Sequence, residues 1–118
     1  MSAPVVYIDD EAALCRVFEM VLGARGIPIV TFTDAGAAVA YLNTHDAVVV
    51  FCDLRMPTMS GLEVLARLSR PVPFYLISGD LAASGATPVS GLTGTLAKPF
   101  PAERLIEIVE RLTKAEGA

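Results

Sequence analysis

The sequence predicts an α/β fold of the doubly wound kind, a five-stranded parallel sheet with helices on both faces. Three observations predict it. Residues 5–8, 48–52 and 74–77 form short, continuous apolar runs rich in Val and Ile, the signature of strands covered on both faces. Helical patterns lie between those runs, as parallel neighbours require, because each crossover carries a helix. Charged or polar residues close each run, where open α/β sheets place their ligands.

The first strand is Val5-Val6-Tyr7-Ile8, closed by Asp9-Asp10. Leu14, Val17, Phe18, Val21 and Leu22 recur at helical spacing, and Gly23 and Gly26 supply stop signals. The second strand is expected from Ile27 to Phe32. Asp34 suits the N-cap of a second helix reaching about Leu42. The third strand, Val48 to Cys52, is closed by Asp53. Ser60-Gly61-Leu62-Glu63 has capping-box spacing and opens a third helix. A fourth strand ends at Ser78-Gly79, and a fifth, Thr95-Leu96-Ala97, ends at Lys98-Pro99. Between Asp80 and Gly94, the residues Gly85, Pro88, Gly91 and Gly94 oppose a long helix, so a fourth helix there is expected to be short or broken. The final helix carries Leu105, Ile108, Val109 and Leu112 on one stripe.

At 118 residues the chain fits one domain, spanning 1–118. Hydrophobic residues make up 53%, yet no uninterrupted apolar run exceeds Ala47 to Cys52, far short of the ~20 residues of a membrane span. A soluble core is expected, with no membrane partner. The N-terminus lacks a basic region followed by an apolar stretch, so a cytoplasmic location is expected. A net charge of −4 with dispersed arginines argues against direct nucleic-acid binding. Cys15 and Cys52 are read as small core residues rather than a bridge, and His45 as a surface residue.

Parallel strands bring Asp9, Asp10, Asp53 and Lys98 to one sheet edge. Asp9 and Asp10 alone could be solubilising residues, with Asp10 capping the first helix. Asp53 shifts the balance, because a carboxylate after five apolar residues must emerge at the edge or find a partner. Carboxylates gathered there repel unless a cation holds them. Mg²⁺ suits them, taking hard oxygen ligands at ~2.0–2.1 Å and keeping waters for a phosphate to displace. No His/Cys set for zinc is apparent. Lys98 can neutralise a phosphoryl group, and Ser78 and Gly79 offer a hydroxyl and an open backbone N–H. Pro99 is a helix-entry residue or the second half of a cis bond that aims Lys98 into the site.

Asp9-Asp10-Glu11, Asp53-Leu54-Arg55-Met56-Pro57 with Gly61, Ser78-Gly79 and Lys98-Pro99-Phe100 together resemble the receiver domain of two-component response regulators. The resemblance spans nearly the whole chain. It implies a flavodoxin-like strand order, 2-1-3-4-5. It also implies Mg²⁺ bound by Asp10, Asp53 and the Arg55 backbone, with Asp9 acting through water. Asp53 is then the nucleophile that takes a phosphoryl group from the phosphohistidine of a sensor kinase, or from a phosphotransfer protein. Met56, Ser78, Gly79 and Lys98 would bind the phosphate. Ser78 is the expected switch hydroxyl, and an output partner of unknown identity would read the 80–100 region.

Two departures accompany the resemblance. Thr95 stands where the family carries an aromatic switch residue, and residues 80–94 are rich in Gly and Pro, so their ordering is the alternative readout. Arg55 and Asp80 are expected to flank the mouth of the site and to restrict the attacking water. Two other readings exist: a dehalogenase-type phosphatase, opposed by Arg55 where its second acid belongs, and a pure interaction module, opposed by the complete acidic set.

Overall fold

The described elements run along the chain as β1 (Val5–Ile8), α1 (Ala12–Ala24), β2 (Ile29–Phe32), α2 (Ala35–Leu42), β3 (Val49–Asp53), α3 (Gly61–Ala66), β4 (Phe74–Ser78), β5 (Gly94–Ala97) and α4 (Ala102–Gly117), with β1 and β3 buried along their whole length. The structure is a computed structural model and describes residues 3–79 and 91–117. All strand pairs are parallel and the sheet order is β2-β1-β3-β4-β5, as expected.

Side chains alternate across a strand, so the sheet feeds two cores. Val5, Tyr7, Phe51, Ile77 and Leu96 face Cys15, Phe18 and Leu22 of α1 and Leu105, Ile108 and Val109 of α4. Val6, Ile8, Val50, Cys52 and Leu76 face Ala35, Ala38 and Leu42 of α2 and Val64 of α3. Each large side chain so buried contributes about 1.5–3 kcal/mol. This two-sided covering explains why the strands read as continuous apolar runs. Both cysteines are buried and free, and His45 is exposed, stacked on Tyr41.

Local signals act where the sequence places them, with small shifts of boundary. Ser60 Oγ accepts from the Glu63 amide at 3.2 Å and Glu63 Oε1 from the Ser60 amide at 3.4 Å, closing the capping box. Asp34 Oδ1 accepts from the Gly36 amide at 3.2 Å. Gly23 lies inside α1, and Gly26, at φ 72°, turns the chain after it. β2 starts at Ile29 rather than Ile27, because the Ile27 amide donates to Leu22 O and Pro28 has no amide to give. The expected short or broken helix falls on residues outside the described set, apart from 91–93, which are not helical and lead into β5.

Candidate functional site

The C-terminal ends of β1, β3, β4 and β5 meet at one rim. Asp9 follows β1, its amide donating to Phe32 O at 3.0 Å. Asp53 is the last residue of β3, still in register opposite Ile77, rather than the first residue beyond the strand. Ser78 ends β4, and its carbonyl accepts from the Lys98 amide at 2.9 Å, which ties the start of the Lys98 loop to β4. The Lys98–Pro99 bond is cis.

Asp9, Asp53 and Ser78 are the buried polar residues among those described. Asp10 is exposed and does not cap α1, whose N-cap is Glu11. One carboxylate oxygen from each of Asp9, Asp10 and Asp53 lies within 4.8 Å of the others. Lys98 Nζ stands 3.2 Å from Asp53 Oδ2 and 3.5 Å from Asp9 Oδ2. The Glu11 amide donates to Asp9 Oδ1 at 3.0 Å, and the Arg55 amide to Asp53 Oδ1 at 3.4 Å. The Arg55 side chain is exposed.

Burial holds the Asp53 carboxyl above the usual carboxylate range; Lys98 opposes this and the Asp9 charge adds to it. Burial alone would lower the Lys98 ammonium, but the charges of Asp9 and Asp53 outweigh it and leave the group raised. The rim therefore carries more negative charge than Lys98 neutralises.

That excess fits a hard divalent cation. The donors are all carboxylate oxygens, and exposed Asp10 opens the cluster to solvent. The nearby thiol, Cys15 Sγ, donates instead to the carbonyls of Asp9 at 3.4 Å and Phe32 at 4.0 Å.

The remaining candidates are placed as follows. Gly79 is exposed with open space where a Cβ would stand. Met56 is half-buried and packs on the α2/α3 core. Thr95 is exposed on β5, opposite Leu76. Asp80, and with it the expected Arg55–Asp80 contact, lies outside the described residues.

Sequence reasoning missed Tyr7. Its side chain is fully buried and its hydroxyl donates to Asp9 Oδ2 at 3.0 Å. Burial and the neighbouring Asp9 charge push the phenol far up. The available signal was a phenol inside an apolar strand, two residues before a carboxylate and so on the same face.

The response regulator receiver domain model matches residues 5–110. The C4-dicarboxylate transport transcriptional regulatory protein DctD of Rhizobium meliloti is 32% identical over 93% of this chain and 25% of its own length. The chain thus spans about a quarter of that relative. Among solved structures, FixJ-N is 29% identical with a TM-score of 0.80, covering 97% of this chain and 96% of its own. The receiver domain of the sensor histidine kinase PA1611 from Pseudomonas aeruginosa, solved with a magnesium ion in its active site cleft, superposes with a TM-score of 0.81 at 20% identity, over 95% of this chain and 98% of its own.

Proposed function

This chain belongs to the response regulator receiver domain family, and we propose that it is a phospho-acceptor that takes a phosphoryl group on Asp53. One observation carries the reading. The Lys98 ammonium sits 3.2 Å from a buried Asp53 inside a cluster of three carboxylates, so an acceptor, a cation site and a fixed positive charge share one rim.

The donor is the phosphohistidine of a sensor kinase or phosphotransfer protein. An Asp53 carboxylate oxygen forms the new P–O bond as the P–N bond breaks, and the bonding pair leaves with the imidazole nitrogen. Already ionised, Asp53 needs no general base. Such transfers have a loose transition state, so alignment and charge neutralisation dominate.

Asp10, Asp53 and the Arg55 carbonyl would hold Mg²⁺, with Asp9 acting through water. When bound, Mg²⁺ neutralises charge on the phosphoryl oxygens. Lys98 pairs with one phosphoryl oxygen, while Ser78 and the amides of Met56 and Gly79 take the others. Ser78 is the switch hydroxyl, and an exposed Thr95 leaves the readout to residues 80–100. Arg55 and Asp80 would moderate the attack of water. The location proposed is the cytoplasm; among the described residues no helix is long and apolar enough to cross a membrane. Residues 1–118 act as one receiver domain, with an output partner that recognises the phosphorylated form.

Incubating the chain with Mg²⁺ and acetyl phosphate tests this. Phosphorylation that disappears in Asp53→Asn supports the reading, and Asp53-independent labelling or none sinks it.

A further inference from the structure

Asp9 is fully buried, so every donor to it matters. Its Oδ1 receives the Glu11 amide. Its Oδ2 faces two donors, the Tyr7 hydroxyl at 3.0 Å and Lys98 Nζ at 3.5 Å. Lys98 lies closer to Asp53, at 3.2 Å. Two carboxylates thus compete for one ammonium, and Asp53, the less buried of the two, holds it at the shorter distance.

A neutral donor on Asp9 Oδ2 accounts for that preference. It satisfies a lone pair that otherwise only the ammonium would serve, and it weakens the pull of Asp9 on Lys98. The Tyr7 ring is placed to keep its hydroxyl there. It has no exposed surface, packs on Phe18 with centroids 4.6 Å apart, and Phe18 in turn stacks on Phe100 at 5.7 Å. Phe100 lies two residues after Lys98, so the same aromatic row backs both the hydroxyl and the loop that carries the ammonium.

We propose that Tyr7 is a positioning residue whose hydroxyl, by occupying Asp9 Oδ2, keeps the Lys98 ammonium on the Asp53 side of the site, where the phosphoryl group arrives. The inference rests on the phospho-acceptor reading. It deepens that reading by adding a residue behind the acidic pair that governs how much of Lys98 is available to phosphate.

The test is a double-mutant cycle on the full chain with saturating Mg²⁺. It reads the rate of phosphorylation by acetyl phosphate in wild type, Tyr7→Phe, Lys98→Ala and the double variant. Tyr7→Phe keeps the ring and should slow the reaction about two- to tenfold, the span of one net hydrogen bond. That loss should vanish when Lys98 is already alanine. An equal loss in both backgrounds marks Tyr7 as core packing alone and overturns the proposal, as does no loss in either. Should Tyr7→Phe fail to fold, NMR on wild type decides: the Tyr7 Cζ resonance should move when beryllofluoride, a phosphoryl mimic, draws Lys98 away, and a stationary resonance overturns the proposal. A wild type that takes phosphate on Asp53 while the cycle shows no coupling defeats this inference alone. A wild type that takes none defeats the parent reading as well.

Discussion

Gly61 and Asp53 touch through their backbones: a methyl group on the Gly61 Cα would stand 2.7 Å from the Asp53 carbonyl oxygen and 2.6 Å from Leu76 Cδ2. The first turn of α3 is thereby pressed against the end of β3. The Gly61 amide, donating to Leu54 O at 2.9 Å, closes the loop that carries Arg55 and Met56 past Asp53.

Gly61→Ala should therefore damage both stability and site. An overpacked core position costs about 1–3 kcal/mol, and the loop can relieve the clash only by moving away from Asp53. Urea denaturation should show the loss, and Mg²⁺ titration a weaker apparent affinity. An unchanged midpoint would count against this packing account.

Lys98→Ala leaves two buried carboxylates without their ammonium. Removing one partner of a fully buried pair costs about 3–5 kcal/mol. With 26% of the lysine side chain exposed, about 1–3 kcal/mol is expected here once solvent screening is allowed for. The loss should be smaller at acidic pH, where the raised Asp53 carboxyl is protonated, and denaturation at two pH values measures it.

Asp53→Asn should act in the opposite sense in metal-free protein. The folded Asp53 carboxyl is raised, chiefly by burial, so folding disfavours its ionised form. Its contribution to stability is complete below the ordinary carboxylate range and is lost as pH rises through the raised value. Neutralising it should raise the melting temperature at pH 7 and change little at pH 4. A variant less stable than wild type at pH 7 would contradict the sign.

Mg²⁺ should stabilise the wild type by mass action, about 2.7 kcal/mol at a hundred times its dissociation constant. Asp10→Asn, at an exposed position, should leave metal-free stability within about 0.5 kcal/mol and remove most of that Mg²⁺-dependent rise in melting temperature. Melting curves with Mg²⁺ and with a chelator separate the two effects.

Much of this was legible in the order of residues, for physical reasons that particular positions make clear. Continuous runs such as Val49-Val50-Phe51-Cys52 read as strands because both faces of the sheet are covered, and caps such as Ser60 and Asp34 act through hydrogen bonds to residues two or three positions away. Asp9, Asp53 and Lys98 converge because each stands at the end of a parallel strand. Tyr7 stayed hidden because a phenol in an apolar run looks like core, and only tertiary geometry brings its hydroxyl to a carboxylate. The start of β2 moved because Leu22, five residues earlier, claims the Ile27 amide. Asp80, the partner expected for Arg55, and residues 80–90 of the expected broken helix fall on positions outside the described residues.

The strand order distributes the charges of the rim unequally. β1 and β3 are flanked on both sides, whereas β5 is a four-residue border strand held by β4 alone. The negative groups thus grow from the middle of the sheet and the positive one from its margin, where a single neighbouring strand holds the chain. Any remodelling that accompanies a new charge on Asp53 should begin at the lysine side, while the acidic floor stays put.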